Sequence, residues 1–164
     1  MIPFIFLSSD QTPSPSAFPQ NSQPCLNDIE ALDLSYRQTL YQVFSDDDTI
    51  SIRVGHHNSS LDRLVRRHNQ SRWALITAHN PYSQPLTDLE NQSRNKSLVK
   101  DLWPLHLPIL RAVGEDQSDQ WPAEESFFII GIRQRDAVSL GQKYNQNAIL
   151  VGTVGYAPQL RWIG

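Results

Sequence analysis

Arg72-Trp73-Ala74-Leu75-Ile76-Thr77-Ala78-His79-Asn80-Pro81-Tyr82-Ser83-Gln84-Pro85-Leu86-Thr87-Asp88-Leu89-Glu90-Asn91-Gln92-Ser93-Arg94-Asn95, residues 72–95, is the stretch on which the reading of this chain turns. Its first third is apolar on both alternations, the pattern of a central strand covered on two sides. An Asn-Pro turn breaks that run. Thr87, followed three residues later by Glu90, is a capping box that restarts the chain as a helix. Thr77, His79, Asn80, Ser83, Glu90, Asn91, Arg94 and Asn95 are thereby crowded around one strand-turn-helix junction, which makes it the candidate site.

Working outward, Tyr36–Phe44 and Thr49–Val54 alternate and are separated by an Asp-rich turn, predicting a β-hairpin. Ser59 with Asp62 predicts a helix start, and Leu61, Leu64, Val65 and His68 follow at helical spacing. Beyond the junction, Leu86, Leu89, Leu98, Val99 and Leu102 supply an apolar side to a helix that ends before Pro104. Leu107–Val113 and Ser126–Ile132 are predicted strands flanking an acidic loop. Asp136 is a candidate cap for a helix carrying Ala137, Leu140, Gly141 and Tyr144, whose small members allow close approach to a sheet. Ala148–Val154 and Gln159–Ile163 are predicted closing strands.

From Trp73 the order is strand, helix, strand, strand, helix, strand. This predicts an α+β fold with a mostly antiparallel sheet, helices on one face, and a split βαβ (ferredoxin-like) core preceded by the N-terminal β-hairpin and helix.

The chain of 164 residues is long enough for one domain with its own core. Residues 1–34 contain no Lys or Arg but include Asp10, Asp28, Glu30 and Asp33, so the net charge of -3 is concentrated there and residues 35–164 are close to neutral. That balance argues against a nucleic-acid or anionic-membrane binder held by charge alone. The apolar Met1–Leu7 run is short, lacks a basic flank and is interrupted by Pro3, which fits neither a signal peptide nor a spanning helix. Pro13, Pro15, Pro19 and Pro24 among Ser, Gln and Asn predict a disordered leader over residues 1–34, with a single α+β domain over 35–164. A lone Cys25 rules out an intramolecular disulfide and suits a reducing, cytoplasmic location.

The motifs Thr77-Ala78-His79-Asn80-Pro81, Glu90-Asn91, Arg94-Asn95, Trp121 with Glu124-Glu125-Ser126, Leu140-Gly141 and Gln146-Asn147-Ala148 occur in the order seen in a group of small bacterial proteins. Across residues 36–163 the chain resembles this group, domain-of-unknown-function family 3293. It departs from the family in having His79 where an aromatic such as Trp is expected, and in an extra residue between Trp121 and the glutamates. The resemblance implies no activity.

Chemically, Asn91, Arg94 and Asn95 fall at i, i+3 and i+4 on one helical face, either as a solvated surface with Glu90 paired to Arg94 or as a wall of a site. Amides, hydroxyls and a helix N-terminus beside a buried strand suit an amide, carboxylate or phosphate group. Glu124 and Glu125, adjacent on an extended segment, point to opposite faces, which argues against a paired acid/base set. One of them bridging Arg94 is the structural alternative. Asn147 suits a left-handed helix-closing position, with Gln146 either structural or an amide reader. His56, His57, His68, His79 and His106 lack zinc-ligand spacing, and nucleotide and Gly-x-Ser-x-Gly fingerprints are missing, so neither metal nor cofactor is expected. Arg63, Arg66, Arg67 and Arg72 form a local basic patch without the aromatic interleaving of RNA-binding sheets.

The sequence thus predicts a small-ligand-binding module whose pocket is framed by Thr77, His79, Asn80, Asn91, Arg94, Glu125 and Gln146. An interaction or regulatory subunit, contacting a protein partner through Trp73, Trp103, Trp162 or the leader, is a second expectation. An enzyme with Glu124 or Glu125 as base and Arg94 as electrophile is a third.

Overall fold

The structure, a computed structural model, describes residues 26–46, 48–117 and 122–163, with side chains from residue 29 onward. Expectations for residues 1–25, Cys25 included, and for Trp121 lie outside the described residues.

Among the described residues four helices and seven strands follow in the order α1 (Leu26–Gln38), β1 (Leu40–Phe44), β2 (Thr49–Ile52), α2 (Ser59–Arg67), β3 (Arg72–Ile76), α3 (Asp88–Leu102), β4 (Ile109–Glu115), β5 (Glu124–Ile130), α4 (Gln134–Lys143), β6 (Ala148–Thr153) and β7 (Gln159–Trp162). The fold is α+β. All seven strands form one sheet in the order β2-β1-β4-β5-β3-β6-β7, and every neighbouring pair is antiparallel. In that order β5 lies between β3 and β4, and β3 lies between β5 and β6.

The sequence predicts helices on one face of the sheet; instead they pack on both. Leu98, Leu102 and Ala137, from α3 and α4, pack on Ala74, Ile76, Phe127 and Ile129. Leu61, Leu64 and Val65 of α2 pack on the other side, with Trp73, Leu75, Phe128 and Ile130. The reason lies in β3 and β5 themselves. Trp73–Ile76 and Phe127–Ile130 are apolar on both alternations, so each strand exposes two faces that must be covered.

Several local expectations are corrected. Leu26–Gln38 is helical, so α1 occupies the end of the expected leader and the first residues expected as strand; the hairpin begins at Leu40. The cap of α2 is Asn58, whose Oδ1 accepts the Ser60 and Leu61 N–H groups. Asp62 instead turns inward, accepting from His57 Nε2 and from the Gly155 N–H at 2.9 Å each, which ties α2 to the β6–β7 turn. Arg133 occupies the cap position of α4, and Asp136 pairs with it in the first turn at 2.6 Å. The capping box of α3 forms as predicted from Thr87 and Glu90. At Gly141 a side chain would collide with Ile163, so α4 rests on the sheet through a position that tolerates no Cβ.

Candidate functional site

The junction between β3 and α3 leaves the sheet at Thr77 and turns through Asn80, Tyr82 and Ser83, all three at positive φ (42°, 54° and 58°). Three positions of this kind within four residues, none of them glycine, must be held by their surroundings. The holding groups are amides. Asn91 Oδ1 accepts the Asn80 N–H at 2.9 Å, and Asn91 Nδ2 donates to Asn80 Oδ1 at 2.9 Å. Asn80 Oδ1 also accepts the Leu86 N–H at 3.0 Å. Asn95 Oδ1 accepts the Ala78 N–H at 2.9 Å while its Nδ2 donates to the Glu125 carbonyl at 3.0 Å. Thr77 Oγ1 donates to that same carbonyl at 2.7 Å and accepts the His79 N–H at 3.0 Å.

These contacts redefine the face of α3. Asn91, Asn95, Leu98 and Leu102 are its buried residues, whereas Leu89 and Val99, expected on the apolar side, are exposed. Asn91 and Asn95 are only 5% and 2% exposed, so their amides serve buried backbone groups that have no water to turn to.

Arg94 is occupied in the same way. Its Nε donates to the Ala78 carbonyl at 2.7 Å and its Nη2 to the Tyr144 carbonyl at 2.5 Å. Glu90, expected as its partner, accepts instead from the Thr87 N–H and hydroxyl. Glu125 lies on the face of β5 that carries Phe127 and Ile129 and pairs with Arg111 at 3.5 Å rather than with Arg94. Gln146 Nε2 donates to the His79 carbonyl at 2.8 Å. The left-handed residue that closes α4 is Asn145, not Asn147. Asn147 Nδ2 donates to Ser83 Oγ, which also bonds Tyr36 Oη at 2.9 Å.

On the opposite side of the junction a cavity of about 190 Å³ opens between α1 and the sheet. Leu32, Ser35 and Tyr36 face it from α1 at i, i+3 and i+4, and Thr39 from the residue after the helix. Its apolar wall includes Leu75, Leu150 and Leu160, and its exposed rim includes Pro85, Asp88, Pro122 and Ala123. Among the predicted site residues, Thr77, His79, Asn80, Asn91, Gln146 and Glu124 line this cavity; Arg94 and Glu125 do not. Glu124 and Ser126 reach it because alternate residues of β5 point the other way from Glu125.

Two side chains give the cavity its chemistry. Glu124 Oε1 accepts from Asn80 Nδ2 at 2.6 Å, and burial holds its carboxyl above the ordinary carboxylate range, with the Asn80 bond opposing the shift. His79 Nε2 is buried without a hydrogen-bond partner among the described residues. Burial also holds this imidazole below its ordinary range, against the charges of Glu125 and Asp88. Among the described residues no Lys or Arg lines the cavity, and no cluster of His, Cys, Asp and Glu could hold a metal ion.

The remaining expectations also find their places. Trp73 is 3% exposed, Trp162 is half-buried with its Nε1–H donated to Asp33, and Trp103 is 75% exposed. No described helix is long and apolar enough to cross a membrane.

Fold and site together define an α+β protein with a seven-stranded antiparallel sheet and one half-apolar, acidic cavity beside a self-paired amide network. Residues 76–149, from the end of β3 to the start of β6, match the model of the family described as protein of unknown function (DUF3293). No curated protein and no solved structure matches the chain.

Proposed function

We propose that the protein is a small-ligand-binding module of the cytoplasm whose site is the cavity under α1. The strand order β4-β5-β3-β6, with α3 and α4 as crossovers on one face, supports reading its core as a split βαβ unit of ferredoxin-like type. The observation that carries the function is the combination of an apolar chamber with His79 in its lining, a residue whose buried Nε2 has no hydrogen-bond partner among the described residues. A buried polar atom without a partner is a cost that a ligand group can relieve.

Size limits the ligand. An apolar cavity of about 150 Å³ accepts benzene, so about 190 Å³ suits a single ring with a short polar arm. Of the predicted groups, an amide remains the best fit. Carboxylate or phosphate would need a cation, and Arg94 is occupied by backbone carbonyls on the other face.

Thermal-shift screening of single-ring compounds tests the reading. Ligands present at about ten times Kd should raise Tm by several degrees, and Leu86→Trp, which fills the cavity from its loop wall, should abolish the shift. A shift that survives Leu86→Trp would place binding elsewhere.

A second reading, docking of a protein partner, draws on Leu89 and Trp103, 78% and 75% exposed along α3. It is compatible with the first, since these side chains are not among the residues lining the cavity.

A further inference from the structure

A second cavity, of about 370 Å³, opens where β3 begins and shares no lining residue with the cavity under α1. Strand register places its polar groups. Arg72 lies opposite Thr153, Ala74 opposite Val151, and Val151 opposite Gln159. Ala74 and Val151 belong to the face packed by α3 and α4, and alternate residues of a strand share a face. Arg72, Thr153 and Gln159 therefore stand together on that face, exposed beside the buried Ile132 and Val151 that also line the cavity.

The walls are fixed to the start of β3 through consecutive carbonyls. In the turn before α4 the Gly131 N–H donates to the Arg72 carbonyl at 2.7 Å, and after β6 the Val154 N–H donates to the Ser71 carbonyl at 2.8 Å. The Tyr156 N–H returns to the Thr153 carbonyl at 3.0 Å, and Asp62 Oδ2 accepts the Gly155 N–H at 2.9 Å. The backbone around the cavity is thus ordered before any guest arrives, which lowers the cost of binding.

We propose that this cavity binds a small oxyanion, carboxylate or phosphate, carried on a flat ring. The proposal stands apart from the reading of the cavity under α1. Among the described residues Arg72 is the cation of the lining, and no Asp or Glu lines the cavity. Arg94 is bonded to carbonyls of this chain, whereas the Arg72 side chain has no partner among the described residues. A free guanidinium offers the planar fork that carboxylates and phosphates accept from in pairs. The hydroxyls of Ser71 and Thr153 and the amides of Gln134 and Gln159 are likewise unbonded among the described residues. Each can donate and accept, so they suit the remaining oxygens or the polar edge of a ring. Tyr156, 71% exposed on the pinned turn, offers a ring face for stacking. Since about 150 Å³ already accepts benzene, this volume takes a ring together with its charged arm.

Calorimetry with phenyl phosphate, benzoate, benzyl alcohol and inorganic phosphate tests the assignment. At least one ring anion should bind more tightly than benzyl alcohol and inorganic phosphate, and the tighter of the two names the charged group. Arg72→Gln, which removes an exposed and unpaired charge, should weaken that anion by about ten- to a hundredfold, as expected for loss of a charge-assisted contact. Tyr156→Ser should weaken it by about three- to tenfold while leaving inorganic phosphate unchanged, and carries the test should Arg72→Gln not fold. Leu86→Trp, which fills the cavity under α1, should leave the anion's affinity unchanged. Anion affinity that survives Arg72→Gln, or that Leu86→Trp abolishes, overturns the assignment, and the second result would favour the cavity under α1 instead. Benzyl alcohol binding Leu86→Trp as tightly as the ring anions overturns the charge, and inorganic phosphate binding as tightly as phenyl phosphate overturns the ring. Absence of binding by both ring anions overturns this site and leaves the cavity under α1 to its own screen.

Discussion

The two sides of the β3–α3 junction are built from the same few residues of sequence and behave oppositely. On the side of α3 and α4, Asn95 and Arg94 end on backbone groups of this chain, and so do Asn91 and Gln146, which also border the cavity. On the side of α1, Glu124 and His79 line a chamber, and His79 Nε2 meets no partner among the described residues. Residues that look most like a binding motif, an Arg among amides, are the ones already occupied. A polar cluster at a strained turn can be the brace that holds a site open rather than the site.

The comparison can be broken most forcefully on the braced side. Asn95→Leu orphans the Ala78 N–H and removes a donor from the Glu125 carbonyl, and should destabilise the protein by about 3 kcal/mol in urea unfolding. Arg94→Leu leaves the Ala78 and Tyr144 carbonyls without their charged donor and should cost about 2 kcal/mol by the same measurement. A loss below about 0.5 kcal/mol in both would mean that the amides and Arg94 are free to serve a ligand after all.

On the chamber side the expected effects on stability are smaller. Tyr36→Phe removes the hydroxyl from its contacts with Ser83 and Asn147 and should cost about 1 kcal/mol. Glu124→Gln sharpens the contrast through pH. The folded protein holds the Glu124 proton more tightly than the unfolded chain, whose carboxyl titrates near 4.5. The stability it contributes is therefore complete below that value and is lost as pH rises through the folded pKa. Glu124→Gln should be at least as stable as the unaltered protein at pH 7, with the two stability curves converging in acid. His79 has the opposite sign. Its folded pKa lies below 6.5, so its contribution is present above that value and is lost as pH falls through the folded pKa. Replacing it by Gln should flatten the acid limb of Tm against pH.

Much of this was legible in the sequence. The doubly apolar Trp73–Ile76 run, the Thr87–Glu90 box and the alternation of Glu124 and Glu125 each depend on local rules, and each appears as read. What escaped was decided by distant partners. Nothing in the spacing of Asn91, Arg94 and Asn95 says whether a helix face meets water or buried carbonyls. Likewise the spacing of Ser59 and Asp62 marks a helix start, but the cap is Asn58 and Asp62 bonds Gly155 of the β6–β7 turn. The helix α1 had a signal that was overlooked. Leu26, Ile29, Leu32 and Tyr36 follow helical spacing, but the Pro- and Ser-rich composition before them and the β-rich residues after them outweighed it.

The bonds that fix the junction run between residues far apart in the chain: Asn80 to Glu124, Arg94 to the Tyr144 carbonyl, Gln146 to the His79 carbonyl. Contacts of that separation form late, because long loops must close first. The chamber is therefore an attribute of the finished polypeptide. A ribosome that has released β3 and α3 but not yet α4 has made every residue of the Asn-Pro turn without giving it a shape, and a chain cut short before Gln146 would forfeit the chamber entirely rather than by degrees.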